Sequence, residues 1–288
     1  DENKSKEVLE RIKGSDMKVV PGGSAANTLA ILAILGSKAI FCGKVGHDEY
    51  GDIYETGMIE SNVKSSISKI DRLTGHAITF ITPDFERTFI VHLGAALHMS
   101  KDDIIEDEIA KSKILHIEGY QLEGKSREIA IHVMDLAKKH GTKISIDLAD
   151  AGLIKRNLAD LKKITSDYAD IIFANEMEAE TFTGLKGEAA LDEMSRFADT
   201  CVLKLGEKGS MIKQNGSITR IDSFKTNVVD STGAGDAYAA GFLHGICNGM
   251  SLEKSGNLAS FIASKVVSQI GSRLDVSILE DIRKMNLI

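Results

Sequence analysis

From about residue 113 onward, short β-rich apolar runs alternate with longer stretches whose apolar positions recur at helical spacing. Residues 114–117, 143–147, 170–174 and 201–205 read as strands. Residues 127–140, 176–183 and 187–198 read as the helices between them. Such alternation predicts an α/β fold with a doubly wound, mostly parallel sheet flanked by helices, because parallel neighbours need a long crossover connection. Each predicted strand ends in polar residues, where ligand-facing loops lie in sheets of this type.

The pattern changes between residues 71 and 97. Residues 77–82 and 87–91 are two short strands around Pro83-Asp84-Phe85-Glu86, with no helix between them. They are expected to pair antiparallel as a small β lid, the remainder (1–70 and 98–288) forming the main domain. The same hairpin also suits an edge extension of the main sheet or a surface for a homodimer. Phe80, Phe85 and Phe89 are aromatic residues of this hairpin, suited either to packing or to stacking on a ligand.

Two apolar helices begin at glycine-rich segments. In the first, Pro21-Gly22-Gly23-Ser24-Ala25-Ala26-Asn27-Thr28 runs into an apolar stretch that closes at Gly36. Gly22 and Gly23 allow a ligand close to the backbone, and Asn27 offers both donor and acceptor to vicinal hydroxyls; simple helix packing and capping would use the same residues. In the second, Asp230-Ser231-Thr232-Gly233-Ala234-Gly235-Asp236 precedes Ala237-Tyr238-Ala239-Ala240-Gly241-Phe242-Leu243. Gly233, Ala234 and Gly235 leave amides open at a helix N-terminus, a site suited to a phosphoryl group, and Asp236 in the first turn can take a proton from an attacking hydroxyl. An ordinary capping carboxylate after a flexible turn fits the same letters. A Walker A loop is absent, and a dinucleotide fingerprint fits poorly because Tyr238 stands where its third glycine would be.

Composition narrows the classes. The chain has 288 residues, 43% of them apolar, enough for a sizeable core, and only two prolines, so no rigid linker divides it. A formal charge of −7 with no basic cluster argues against a nucleic-acid polymer as partner. No apolar run reaches the length of a membrane span, so a cytoplasmic protein is expected. Cys42, Cys201 and Cys247 are dispersed and read as buried thiols, and the eight histidines lack metal-ligand spacing, so structural or surface roles are expected for them.

The two glycine-rich helix starts, in this order, resemble those of the PfkB or ribokinase-like carbohydrate and nucleoside kinases. Gly43-Lys44-Val45-Gly46-His47-Asp48-Glu49-Tyr50-Gly51 is similar to the family's G-x-D-x-x-G segment, Asn175-Glu176-Met177-Glu178 to its N-x-x-E, and Lys204-Leu205-Gly206-Glu207-Lys208-Gly209 to its K-x-G-x-x-G. The resemblance implies transfer of the ATP γ-phosphate to a primary hydroxyl of a sugar or nucleoside. It implies Asp236 as general base, an anion hole at the backbone amides of Gly233, Ala234 and Gly235 with that of Asp236, and substrate contacts from Gly22, Gly23, Asn27 and Glu118, the last placed either on substrate or on a water bound to the metal. It further implies ATP contacts from Lys204, Gly206, Gly209, Thr232 and Asn257, and Mg²⁺ organised through water by Asn175 and Glu178. A monovalent cation such as K⁺ would sit near Asp230 and the segment Gly271-Ser272-Arg273. The form of the first glycine segment leans towards adenosine kinase-like members.

The family pattern opens with a strand and a substrate-binding Asp, whereas only about 20 polar or helical residues precede Gly22 here. The first strand is therefore expected to be missing from this sequence, with residues 1–14 forming the helix that follows it. A catalytically impaired sugar- or nucleoside-binding protein is the alternative, and the intact Asp236 argues against it.

Overall fold

The computed structural model describes residues 2–14, 17–81 and 87–288. Its elements run α1 (Glu2–Ile12), α2 (Ser24–Ile34), β1 (Ile40–Gly46), α3 (Glu49–Glu60), β2 (Lys64–Ile70), β3 (His76–Ile81) and β4 (Arg87–His92). There follow α4 (Glu106–Lys111), β5 (Ile114–Glu118), α5 (Ser126–His140), β6 (Lys143–Asp147), α6 (Ala151–Tyr168), β7 (Ile171–Asn175), α7 (Glu176–Thr183) and α8 (Gly187–Met194). The chain closes with β8 (Thr200–Lys204), β9 (Ser210–Gln214), β10 (Ser217–Ile221), α9 (Ala234–Cys247), α10 (Leu252–Val267) and α11 (Ile278–Lys284). These elements separate into two compact units, residues 1–22 with 40–104, and residues 23–39 with 105–288.

The larger unit is built on a six-stranded sheet in the order β10-β9-β8-β7-β6-β5. β5 to β8 are parallel neighbours joined through helices, as the alternating pattern requires. β9 adds antiparallel to β8 and β10 antiparallel to β9, an extension the apolar pattern did not signal. The cause is local: the chain reverses within residues 205–209, with Gly206 at φ 59° and Gly209 at φ 85°, and a turn that short joins only antiparallel neighbours. All of Ile171, Ile172, Phe173 and Ala174 in β7 are buried, as expected for a strand covered on both faces. The core continues through Phe173, which meets Phe242 of α9 edge-on at 5.6 Å. Helix α9 lies close along α10: a Cβ at Gly241 would stand 2.6 Å from Ala259 Cα, so this approach requires glycine.

In the smaller unit β1 and β2 are parallel, with α3 as their crossover, and β3 pairs antiparallel with β4 from His76 opposite His92 to Ile81 opposite Arg87. The hairpin thus forms as the sequence reads, with Phe89 opposite Thr79 and Phe80 exposed, while Phe85 lies outside the described residues. The G-x-D-x-x-G segment has a structural job here. Asp48 caps α3 by accepting from Gly51 N–H at 2.9 Å, and it also accepts from Thr74 N–H at 2.8 Å and Thr74 Oγ1 at 2.6 Å. Burial works against its charge, but these donors hold its carboxyl below the ordinary range.

The three cysteines are free thiols, and only Cys201 is buried; Cys42 and Cys247 are partly accessible. Cys42 departs from expectation because it lies in a two-stranded sheet, too small to cover both faces. Among the described residues no helix is long and apolar enough to cross a membrane.

Candidate active site

Parallel strands deliver their last residues to one edge of a sheet, and here those residues are all polar. β5 ends at Glu118, β6 at Asp147, β7 at Asn175 and β8 at Lys204, with Glu118 opposite Asp147 and Asn175 opposite Lys204 in the ladder. Lys204 Nζ donates to Asp147 Oδ2 at 2.7 Å, with 15% and 7% of the two side chains exposed. Gly235, in the first turn of α9, lies against that ammonium: a Cβ there would be 3.1 Å from Nζ.

Helix α9 starts at Gly233, whose φ of 79° places it in the left-handed region that favours glycine. Asp236 follows in the first turn. Its Oδ2 accepts from Asn27 Nδ2 at 2.9 Å, and its carbonyl accepts from Thr28 Oγ1 at 3.3 Å. Both partners come from α2, which packs along α9. Asn27 is buried, and its other polar atom, Oδ1, has no hydrogen-bond partner among the described residues. An orphaned buried acceptor is uncommon in a finished fold and points to a donor that arrives with a ligand.

The electrostatics follow from this crowding of carboxylates. Burial pushes the Asp236 carboxyl up to about 6, helped by the charges of Glu118 and Asp147 and opposed by the Asn27 hydrogen bond and Lys204. Burial likewise pushes Glu178 up to about 7, with Asp147 and Asp150 adding to it and Lys204 opposing. Burial disfavours a charge on Lys204, yet Asp147 and Glu178 more than compensate and raise its pKa. At pH 7, Asp236 is therefore mostly an available base beside a cationic Lys204.

Asn175 and Glu178 form a reciprocal capping box at the start of α7. Glu178 N–H donates to Asn175 Oδ1 at 2.9 Å, Asn175 N–H donates to Glu178 Oε2 at 2.7 Å, and Asn175 Nδ2 donates to Glu178 Oε1 at 2.6 Å. The N-x-x-E spacing thus has a complete local explanation, while the buried carboxylate still adds to the negative charge beside Lys204. Among the described residues no group of three or more His, Cys, Asp or Glu side chains is arranged to hold a metal by itself.

The other expected residues divide. Gly206 and Gly209 shape the reversal after Lys204, and a Cβ at Gly209 would overlap the Ile221 carbonyl oxygen. Thr232 is in the exposed loop before Gly233, its N–H donating to Asp230 Oδ1 at 2.7 Å. Asp230 Oδ2 accepts from Gly271 N–H at 3.0 Å, and Gly233 packs on Ser272, so the 230–233 and 271–273 segments do meet. Asn257 is half-buried on α10, the helix packed on α9 and β10. Gly22 belongs to the smaller unit and Gly23, the N-cap of α2, to the larger, so that pair straddles the boundary along the chain.

The sequence reading missed Asp147 and gave His116 only a structural or surface role. His116 is almost fully buried; its ring contacts Glu118 Oε1 at 3.1 Å and Ser145 Oγ at 3.0 Å. Burial opposes its charged form, but Glu118, Asp147 and Asp236 together raise its pKa. Asp147 carried the same signal as Glu118, a carboxylate closing a buried apolar run. Tyr120 follows Glu118 directly and is 54% exposed, with desolvation and the charges of Asp150, Glu118, Glu178 and Asp147 pushing its hydroxyl up to about 12.

The family model described as pfkB family carbohydrate kinase matches residues 2–279. A 5-dehydro-2-deoxygluconokinase of Bacillus licheniformis is 31% identical over 265 residues, 87% of this chain and 82% of that protein. The crystal structure of adenosine kinase from Sinorhizobium meliloti superposes with a TM-score of 0.91 at 31% identity, covering 98% of this chain and 88% of that one. That of a probable sugar kinase protein from Rhizobium etli CFN 42 reaches 0.93 at 30% identity, covering 100% and 89%. With a whole-chain family match and an α/β fold shared at this level, the chain belongs to the pfkB family of carbohydrate kinases.

Proposed function

We propose that this protein transfers the γ-phosphate of ATP to a primary hydroxyl of a sugar or nucleoside, with Asp236 as the general base. The observation that carries the reading is the Asn27–Asp236 pair: a half-buried carboxylate at a helix N-terminus, held by an amide whose remaining acceptor is buried and unpartnered. Asn27 Oδ1 accepts from one acceptor hydroxyl, which sets a second hydroxyl against Asp236. As that oxygen attacks the γ-phosphorus its proton passes to the Asp236 carboxylate; a new P–O bond forms, the bond to the β,γ-bridging oxygen breaks, and its electron pair leaves with ADP. Gly23 approaches the acceptor, and Glu118, held by His116, takes a further hydroxyl.

The anion hole needs one refinement. The first-turn amides of α9 are those of Ala234, Gly235 and Asp236, which have no acceptor within the helix. Ala234 N–H already donates to Ser231 O at 3.3 Å, so Gly235 and Asp236 supply the two amides that face an incoming phosphoryl group. The cradle over Gly235 and the ammonium of Lys204 suit ATP phosphates, and Gly206, Gly209, Thr232 and Asn257 border the rest of the nucleotide.

Mg²⁺ also suits the site, since burial and the charges of Asp147 and Asp150 press on the Glu178 carboxyl and a divalent cation beside it relieves that. Asn175 and Glu178 would hold it through water. When bound it neutralises phosphate charge and fixes phosphate orientation. Asp230, which ties the 230–233 loop to Gly271, is our candidate for a K⁺ site, tested by replacing potassium with a bulky organic cation in the assay. The β3–β4 hairpin exposes Phe80, Ile90 and Val91, apolar residues that a homodimer through this lid would cover; sedimentation of Phe80→Ser against the parent chain tests it.

The deciding experiment is ADP release with ATP and Mg²⁺ across a panel of acceptors, with Asp236→Asn as control. 5-Dehydro-2-deoxygluconate, for which the Bacillus licheniformis relative is named, heads the panel, followed by adenosine, because the superposed Sinorhizobium meliloti structure is an adenosine kinase, then ribose and fructose. Turnover that vanishes in the variant establishes reaction and acceptor class together; binding without turnover in the parent chain favours a binding protein of the same fold.

A further inference from the structure

We propose that Asp147 is a positioning residue whose task is to hold the Lys204 ammonium against the first turn of α9, where that charge meets the phosphoryl group in transfer. The inference rests on the kinase reading above and assigns a residue outside the motifs. β6 and β8 are not neighbours; β7 runs between them, and Lys204 reaches past the end of β7 to place Nζ 2.7 Å from Asp147 Oδ2. Asp147 is the one hydrogen-bonding partner of Nζ among the described residues, which leaves two ammonium hydrogens for another acceptor. Asp147 is itself fixed, because its Oδ1 accepts from Ala149 N–H at 3.0 Å. On the far side, Nζ stands 3.1 Å from the Cβ position of Gly235, so the ammonium lies against a residue whose amide belongs to the proposed anion hole.

A purely structural ion pair would have no reason to sit on a glycine at a helix N-terminus. A flexible four-carbon stem needs an anchor if its charge is to be in place before the reaction, and a preorganised charge stabilises a transition state without reorganising. In the transfer, negative charge spreads over the equatorial oxygens of the γ-phosphoryl group as its bond to the bridging oxygen breaks and the electron pair passes to ADP; the anchored ammonium lies where that charge develops.

The test is a double-mutant cycle on the full chain: the parent, Asp147→Asn, Lys204→Met and the pair combined. For each, kcat and KM are measured with an acceptor that turns over, together with calorimetric affinities for β,γ-imido-ATP and for ADP at two Mg²⁺ concentrations. Lys204→Met is expected to lower kcat roughly 100-fold, and Asp147→Asn at least tenfold with acceptor KM little changed. The double variant should be no slower than Lys204→Met alone, because Asp147 acts through Lys204. The preference for imido-ATP over ADP should fall in the same non-additive pattern. Additive losses, full activity in Asp147→Asn, or a defect in Asp147→Asn that extra Mg²⁺ restores would each overturn the assignment, the last by placing Asp147 on the metal instead. If Asp147→Asn alone does not fold, Lys204→Met and the double variant still decide, since the double leaves no unpaired buried charge; a double variant markedly slower than Lys204→Met overturns the proposal. If the parent turns over no acceptor, the kinase reading fails, while the imido-ATP cycle still reports on Asp147.

Discussion

Asn27→Ala removes the donor to Asp236 and should move the pH dependence of the reaction. The hydrogen bond from Asn27 Nδ2 to Asp236 Oδ2 is 2.9 Å long and favours the ionised carboxylate, opposing the burial that pushes Asp236 up to about 6. A hydrogen bond to a charged group contributes roughly 1.5 to 3 kcal/mol. At the lower figure its loss raises the Asp236 pKa by about one pH unit, to about 7. The ionised fraction at pH 6 then falls from about one half to about one tenth, and kcat/KM drops about fivefold there but only about twofold at pH 7. Because kcat/KM reports groups of the free enzyme, its acid limb is the readout, measured from pH 5 to 9 with the accepted substrate. A further pH-independent loss of roughly tenfold is expected from the proposed contact of Asn27 Oδ1 with an acceptor hydroxyl. Thr28→Val is the control: among the described residues the Thr28 hydroxyl bonds the Asp236 carbonyl and not its carboxylate, so the limb should stay in place. An acid limb at the parent pH in Asn27→Ala would refute the claim that Asn27 tunes the base, leaving it as a substrate contact alone.

Asp236→Asn should reduce kcat by about 10² or more while acceptor and nucleotide binding are largely kept. Its stability should move the other way. A carboxyl whose folded pKa is raised from 3.8 to about 6 gives stability that is complete below pH 3.8 and lost as pH rises through 6, so the variant should melt above the parent at pH 7.5 and match it at pH 3.5. That gain is at most about 3 kcal/mol, and a lower melting point at pH 7.5 would contradict it. Asp48→Ala, which strips the cap of α3 and the partner of Thr74, should destabilise the protein by about 2 kcal/mol in urea unfolding. Because the Asp48 pKa is depressed, the difference between variant and parent should shrink as pH falls below about 4. The lid role of residues 71–97 is checked by limited proteolysis: substrate and nucleotide together should protect this segment, and unchanged cleavage removes the idea.

Strands β5 to β8 and helices α5 and α7 were legible because they obey short-range rules, whereas α6 and α10 were not read and α8 ends at Met194, four residues short of the expected Ala198. β6 and α7 begin and end where the apolar pattern and the caps place them, and the Asn175/Glu178 capping box is complete within four residues. The start of α9, with Gly233 in a left-handed conformation and Asp236 in its first turn, is likewise local chemistry. β9 and β10 escaped this reading because their strands are short and mixed in polarity, and only the antiparallel pairing of β9 onto β8 and of β10 onto β9 makes them part of the sheet.

By itself, then, the sequence determined the alternation of strands and helices, the glycine-rich helix starts and the residue types that can bind phosphate or take a proton, since each depends on neighbours within about one turn. The tertiary structure alone decided which of these groups meet. Asn27 reaches Asp236 across 209 positions of chain, and Lys204 reaches Asp147 across 57. Such pairings are set by which helix packs on which and by strand order, and the pKa values of buried carboxyls depend on every charge the fold brings near them.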